Sequence, residues 1–444
     1  MILRGLTRTV VVSAFAACLI GAAPVVREDG DFDVVSYEVD LTPALSVDGV
    51  FDGREAIRFA VVGAPIAALE FSPNALTIAN ATLDGVPVGV TSDASGVHVD
   101  LGRVLPVGEQ ATLRFAYSGK PARGITQLPE GGLYTAYFAC DWMVCRQDTP
   151  GDKARIALWL TVPAGMDSLG PGMLTGSIAL SEGTRVDRWV SGQDYAPYLY
   201  GFAVGKFRAA SVSTGDTELA FLDATGDRND LERAFGNTPD LVAFLSDRAG
   251  FALPGGRYTQ LLVPEYEAQE ATSYSLIGAK ALARDLERPD EEWIVVHELA
   301  HQWWGNAITC ASWQDFWLNE GFATFMTAAW KEQRYGRAAY DAELDVARKR
   351  IAAAREKGYD KPLAWNGKYP SLGLRRAVQY SKGALFLDHL RQAMGERAFW
   401  AGIRAYSRAH AGGTVTSADF QRSMQAATRR DLGPEFATWV YGDG

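Results

Sequence analysis

The chain is 444 residues long, carries a net charge of −10 at pH 7, and 48% of its residues are hydrophobic. That length exceeds one compact core and predicts two or three domains of ordinary globular composition. An acidic balance without a basic block of five or more residues excludes nucleic acid as the expected partner.

Residues 1–23 predict an export signal, because Arg4 and Arg8 precede an apolar run from Thr9 to Ile20 that leads into Gly21-Ala22-Ala23. This run is too short to span a bilayer comfortably, and no later run reaches spanning length, so no integral membrane segment is expected. An alternative takes Phe15-Ala16-Ala17-Cys18 as a loose lipobox and Cys18 as a lipid anchor. Both readings place the mature protein outside the cytoplasm, periplasmic or secreted. Cys140, Cys145 and Cys310 remain beyond the signal. Two of them can pair in an oxidising compartment, and the odd count leaves the partners open.

In residues 24–206, apolar residues alternate over short segments such as FDGREAIRFAVV, ATLRFAYSG and ARIALWLTVP, with turns at Asp84-Gly85 and Ser118-Gly119. Period two without a long helical pattern predicts an antiparallel β-sandwich or saddle-shaped domain. Residues 207–444 read as a second domain in which strands give way to helices, the first helical spacing lying in LERAFGNTPDLVAFLSDRAG. The fold class is α+β. Trp330 to Lys357 reads as a charged amphipathic helix, His389 as a core histidine, and Ser417 as the N-cap of a late helix.

The chemistry concentrates between Glu291 and Phe325, in EEWIVVHELAHQWWGNAITCASWQDFWLNEGFATF. His297 and His301 are four apart in a stretch free of Gly and Pro, so on a helix both imidazoles leave one face about one turn apart. Glu298 follows the first histidine, where its carboxylate reaches a water beside the ion without ligating it, the place of a general base. Glu320, nineteen positions beyond His301, supplies a third ligand. Two His and one carboxylate leave a fourth tetrahedral position open, as in catalytic zinc sites, so one zinc ion is expected. Cobalt or manganese can occupy the same donors in vitro.

HELAHQWWGN followed by W-x-D-x-W-L-N-E-G-F-A resembles the zinc signature of the aminopeptidase N family, gluzincins with a thermolysin-like catalytic domain. The resemblance implies His297, His301 and Glu320 as zinc ligands and Glu298 as the base. It extends to Cys145, Pro150, Lys153, Ala154 and Pro163 in the β domain, and to Tyr380-Ser381-Lys382-Gly383, which is similar to the family's Tyr-x-Lys-Gly. Tyr380 would then donate a hydrogen bond to the oxyanion. The family's Gly-Ala-Met-Glu-Asn strand binds the substrate's free amine through its Glu. Aligned from Val263-Pro264, this chain reads Gln269-Glu270-Ala271-Thr272-Ser273, so Thr272 stands where that Glu belongs. Glu270, two residues away and on the same strand face, is the candidate substitute. Gln127 is the nearest candidate for the family's amine-contacting Gln, at a longer offset from Cys145.

The expected function is therefore an exported zinc metallopeptidase, by default an aminopeptidase, acting on a peptide or protein substrate. An endopeptidase or narrow-specificity hydrolase and a non-catalytic peptide-binding protein are the alternatives. The chain stops where longer relatives add a domain over the site, which leads to an expected open cleft or a homodimer in which a second copy forms the roof.

Overall fold

A computed structural model describes residues 31–442 except 47–48, 181–182, 216 and 266. The signal reading of residues 1–23 and the lipid anchor at Cys18 lie outside the described residues.

The N-terminal half is a sandwich. Its main sheet has eight strands in the order Met173–Ala179, Thr184–Val190, Arg155–Pro163, Phe32–Thr42, Phe51–Val61, Gln110–Gly119, Leu76–Leu83 and Val86–Pro87. Along Phe51–Val61 every second residue is buried, as expected for a strand with one face against a core. The facing layer is a three-stranded sheet, from which Phe71 packs edge-on against Phe32 and Phe115 of the main sheet at 6.0 and 6.2 Å. One pairing departs from the antiparallel expectation: Phe32–Thr42 runs parallel to Arg155–Pro163. Alternation along a strand records which faces are buried, not the direction of the neighbour, so sequence could not reveal this.

The second half begins with a mixed sheet in the order Arg208–Thr214, Thr217–Asp223, Arg257–Val263, Tyr274–Gly278, Ala268–Ala271. Its last strand is an antiparallel edge. The sheet belongs to both cores: Leu261 and Val263 pack into the N-terminal core, while Tyr258 and Leu262 of the same strand pack under the helices. Period two thus joins the halves through a single sheet.

Helices follow. The spacing that predicts one helix around residue 238 is divided into Leu231–Phe235 and Thr238–Ala249, with Pro239 in the first turn of the second. The amphipathic run near residue 336 is likewise two helices, Trp317–Tyr335 and Arg337–Glu356, broken where Gly336 takes φ 88°. Thr416, not Ser417, caps the helix Ser417–Ala426, through a capping box with Asp419. Ser417 instead donates its hydroxyl to buried Asp315. His389 is only half-buried, with its ring stacked on Trp439. No helix among the described residues is long and apolar enough to cross a membrane.

Cys140 and Cys145 form a disulfide, and Cys310 is buried and free. Lys153 bolts the halves together: its buried ammonium donates to the carbonyls of Asn306, Ala307 and Gly413 at 3.1, 2.9 and 3.3 Å. Lys153→Met would leave these acceptors without that donor, at an expected cost of roughly 2–4 kcal/mol. Urea unfolding followed by tryptophan fluorescence reads this as a lower midpoint.

Candidate active site

The helix that carries the first two candidate ligands is short, Ile294–Ala300, and entirely buried. It lacks a local cap. Asp285 supplies one from the preceding helix, accepting from the backbone N–H of Trp293 and Ile294 at 2.9 and 3.1 Å. His301 falls at the C-cap, and its Nδ1 lies 3.0 Å from the Trp304 carbonyl. That contact assigns the proton to Nδ1 and turns the Nε2 lone pair toward His297. The turn needs Gly305, which sits at φ 135°, where a Cβ would come within 2.9 Å of His301 Nδ1.

Glu320 is on the first turn of the helix Trp317–Tyr335, and Tyr380 lies in a π-helical segment, Arg376–Lys382. Single π turns recur at functional sites because they re-aim side chains. The two elements touch at glycines. A Cβ on Gly321 would meet the Cα of Gly383 at 2.9 Å, and one on Gly383 would meet the Cα of Gly321 at 2.8 Å. This approach lets Glu320 and Tyr380, each close in sequence to one of these glycines, share one site.

The three candidate ligand atoms converge. His297 Nε2 lies 3.2 Å from His301 Nε2 and 3.2 Å from Glu320 Oε2, which lies 3.4 Å from His301 Nε2. A tetrahedral ion with bonds of about 2.05 Å holds its ligand atoms about 3.3 Å apart. The donor set therefore fits zinc in both chemistry and spacing. Glu298 is 4% exposed, and its Oε2 has no hydrogen-bond partner. A carboxylate oxygen so placed is either a lost hydrogen bond or a base awaiting a proton.

The electrostatics also call for a cation. Burial raises the carboxyl of Glu298 well above the usual carboxylate range, a shift opposed by His301 and reinforced by Glu270 and Glu320. Glu270 is pushed up to about 7, mainly by burial. Burial disfavours the charged form of His301, yet the carboxylates of Glu270, Glu320 and Glu298 prevail and lift it to about 10. His297 is lowered by burial. Tyr380, raised well above 10 by burial and by Glu320, keeps its proton and remains a donor; its ring stacks on His297 at 5.9 Å.

Glu270 belongs to this group: its carboxylate, that of Glu298 and the His301 imidazole offer atoms within 4.8 Å of one another. Its strand is clamped at the next residue, because Gln302 and Asn306 both donate side-chain N–H to the Ala271 carbonyl, at 3.2 and 2.9 Å. From the N-terminal half, Tyr137 donates its N–H to Gln269 Oε1 at 2.9 Å and its hydroxyl to the Ala268 carbonyl at 2.5 Å. Tyr137 adopts φ 62°, uncommon for a non-glycine residue and held here by those two bonds.

Two sequence candidates fall elsewhere. Thr272 is fully buried, with its N–H and hydroxyl both bonded to the Leu199 carbonyl at 2.9 and 3.1 Å, and it does not line the cleft. Its side chain serves the junction of the halves, because the strand ends at Ala271 and the turn at Thr272 and Ser273, where Ser273 takes φ 67°, carries it inward. Gln127 is on the strand Ile125–Gln127, paired with Leu133, and in its better-bonded orientation its amide donates to the carbonyls of Gly132 and Leu45. It is not among the residues that line the cleft. Gln302, Asn306 and Tyr137 were not singled out in sequence. The first two lie within HELAHQWWGN, so their place in that motif was the available signal.

His297, Glu298, His301, Glu320, Glu270 and Tyr380 line a cavity of about 1610 Å³ between the N-terminal half, the edge strand and the helix Arg337–Glu356. That exceeds the 300–1,000 Å³ typical of small-molecule sites. A histidine helix closed by a downstream glutamate, an edge strand and a tyrosine on a facing helix define a gluzincin-type metal site.

Residues 233–439 match the peptidase family M1 domain. Aminopeptidase N of Streptomyces lividans is 24% identical over 277 residues, covering 58% of this chain and 31% of that protein. Leucine aminopeptidase 2 of Aspergillus oryzae is 28% identical over 205 residues, covering 43% of this chain and 32% of that protein. The chain thus spans about a third of the length of these two curated relatives. An M1 zinc metallopeptidase of Deinococcus radiodurans has the same fold, with a TM-score of 0.77, 24% identity, and coverage of 92% of this chain and 93% of that one. A variant of the Deinococcus protein has been solved with the substrate Tyr-Ser-Ala. Residues 233–439 are thus a peptidase family M1 domain, and the chain is similar to the aminopeptidase N family of zinc metallopeptidases.

Gly383→Ala is expected to force the two helices apart at a cost of about 1–3 kcal/mol. The shift of Glu320 should weaken zinc binding roughly tenfold, as loss of a supporting contact does. Thermal unfolding and competition with a chromophoric chelator measure the two effects separately.

Proposed function

We propose that the protein is an exported zinc aminopeptidase that removes residues from the free N-terminus of peptides. The observation that carries this reading is the position of Glu270, a buried carboxylate beside Glu298 on a clamped edge strand. A carboxylate there opposes the ammonium group of a substrate and sets its first peptide bond over the base. The bonded pair Cys140–Cys145 supports export, since such bonds persist in oxidising compartments.

His297, His301 and Glu320 would hold the zinc. When bound, zinc supplies Lewis acidity that activates water near neutral pH and polarises the scissile carbonyl. Glu298 accepts a proton from the attacking water on its unbonded oxygen and returns it to the departing amine. Tyr380, protonated, donates to the oxyanion. Glu270 retains the ammonium group throughout, which excludes blocked N-termini because a neutral amide leaves the buried carboxylate without a counter-charge.

The test compares one peptide in free and N-acetylated forms, with products read by mass spectrometry. Stepwise loss of residues from the free form alone is expected; internal cuts in both forms would mean an endopeptidase, and no cleavage would mean a peptide-binding protein. Glu298→Gln is expected to lower kcat by about 10²-fold or more, and Glu270→Ala to act mainly through KM. Chelation should abolish activity, and added zinc should restore it.

A further inference from the structure

The charges around the cleft are unevenly paired. Of the cations lining it, Lys331 is bound to Glu343 at 2.7 Å, and Arg375 donates to Gln379 at 2.8 Å. Arg350, Lys368 and Arg376 also line the cavity, yet their side chains make neither a hydrogen bond nor an ion pair among the described residues. In a chain of net charge −10, three such cations in one cleft are not a by-product of an overall basic surface.

Their placement is specific. Arg376 opens the π-helical segment that presents Tyr380 four positions later. The helix Arg337–Glu356 packs against that segment and turns Ala342, Val346 and Arg350, spaced at four, toward the cavity. The two alanine methyls at 338 and 342 leave this wall wide. The acidic part of the floor, Glu270 and Glu298, is where the N-terminal ammonium group belongs. A substrate anchored there must send its C-terminal side into the remaining cavity.

We propose that Arg376, together with Arg350 and Lys368, binds a carboxylate on the C-terminal side of the scissile bond. This inference rests on the aminopeptidase reading and names its substrate class: short peptides ending in a free carboxylate, or peptides with an acidic side chain just beyond the bond. A guanidinium meets a carboxylate through two parallel N–H donors, which gives Arg376 geometric selectivity as well as charge. The three cations are exposed, so the contribution of each is reduced by water and salt. The large cavity admits several residues, and the cations favour those peptides whose carboxylate falls at the right distance.

The test uses the zinc-loaded Glu298→Gln protein, so that binding is measured without turnover. Calorimetry compares a neutral tripeptide as free acid, the same tripeptide as C-terminal amide, and an amide with Glu in the third position. The free acid is expected to bind about tenfold or more tighter than the plain amide. In Glu298→Gln combined with Arg376→Gln, that ratio should fall close to one, and Arg376→Lys should restore part of it. Tight binding by the free acid alone identifies the terminal carboxylate as the ligand, and recovery in the Glu-containing amide identifies the side chain. Equal binding of all three peptides, or binding of none, overturns the inference. Hydrolysis by the unmodified enzyme is followed in parallel; its absence would count against the peptidase reading while leaving the binding ratio to decide this one.

Discussion

Two imidazole nitrogens and a carboxylate oxygen held within 3.4 Å of one another, with two further buried carboxylates beside them, form the constraint on which the rest of the structure depends. Burying three carboxylates around two imidazoles costs free energy that a bound cation would offset, and each member is held in place from elsewhere. Asp285 caps the histidine helix, the Trp304 carbonyl orients His301, and Gly321 against Gly383 fixes the separation of the helices bearing Glu320 and Tyr380. Preorganisation of this kind places the cost of assembling charge on folding rather than on the reaction.

The two halves of the chain contribute unequally but neither suffices. The helical half holds the donors and the base. The sandwich supplies Tyr137, which pins Gln269 from outside, and Lys153, which grips the backbone just after the histidine motif. Gln302 and Asn306 complete the arrangement by tying the motif to the edge strand. One short stretch of sequence therefore positions both the candidate metal donors and the edge strand, which under the proposed function couples hydrolysis to recognition.

The cleft's charge pattern extends this coupling. Carboxylates gather at the floor and unpaired cations on the wall formed by the helix Arg337–Glu356 and the approach to Tyr380. A peptide is itself a dipole of this kind, positive at its N-terminus and negative at its C-terminus. Complementarity of that sort selects by length and end groups more than by side chain.

The sequence by itself determined the α+β class and named the candidate zinc donors His297, His301 and Glu320 and the candidate base Glu298, because helical periodicity and ligand spacing are local properties of the chain. It also offered Glu270 as a candidate for the amine-binding position, and the structure brings that carboxylate to the cleft. Thr272 and Gln127 are candidates by position in the chain, but the strand ends before Thr272, whose turn carries it inward, and the Gln127 amide bonds the backbone of Gly132 and Leu45 outside the cleft lining. The parallel pairing of the strands at residues 32–42 and 155–163, the disulfide partners, the meeting of Gly321 with Gly383 and the role of Tyr137 depend on contacts between residues far apart in the chain. No local pattern encodes such contacts, because they arise only when separate elements pack, and so the tertiary structure alone decided them.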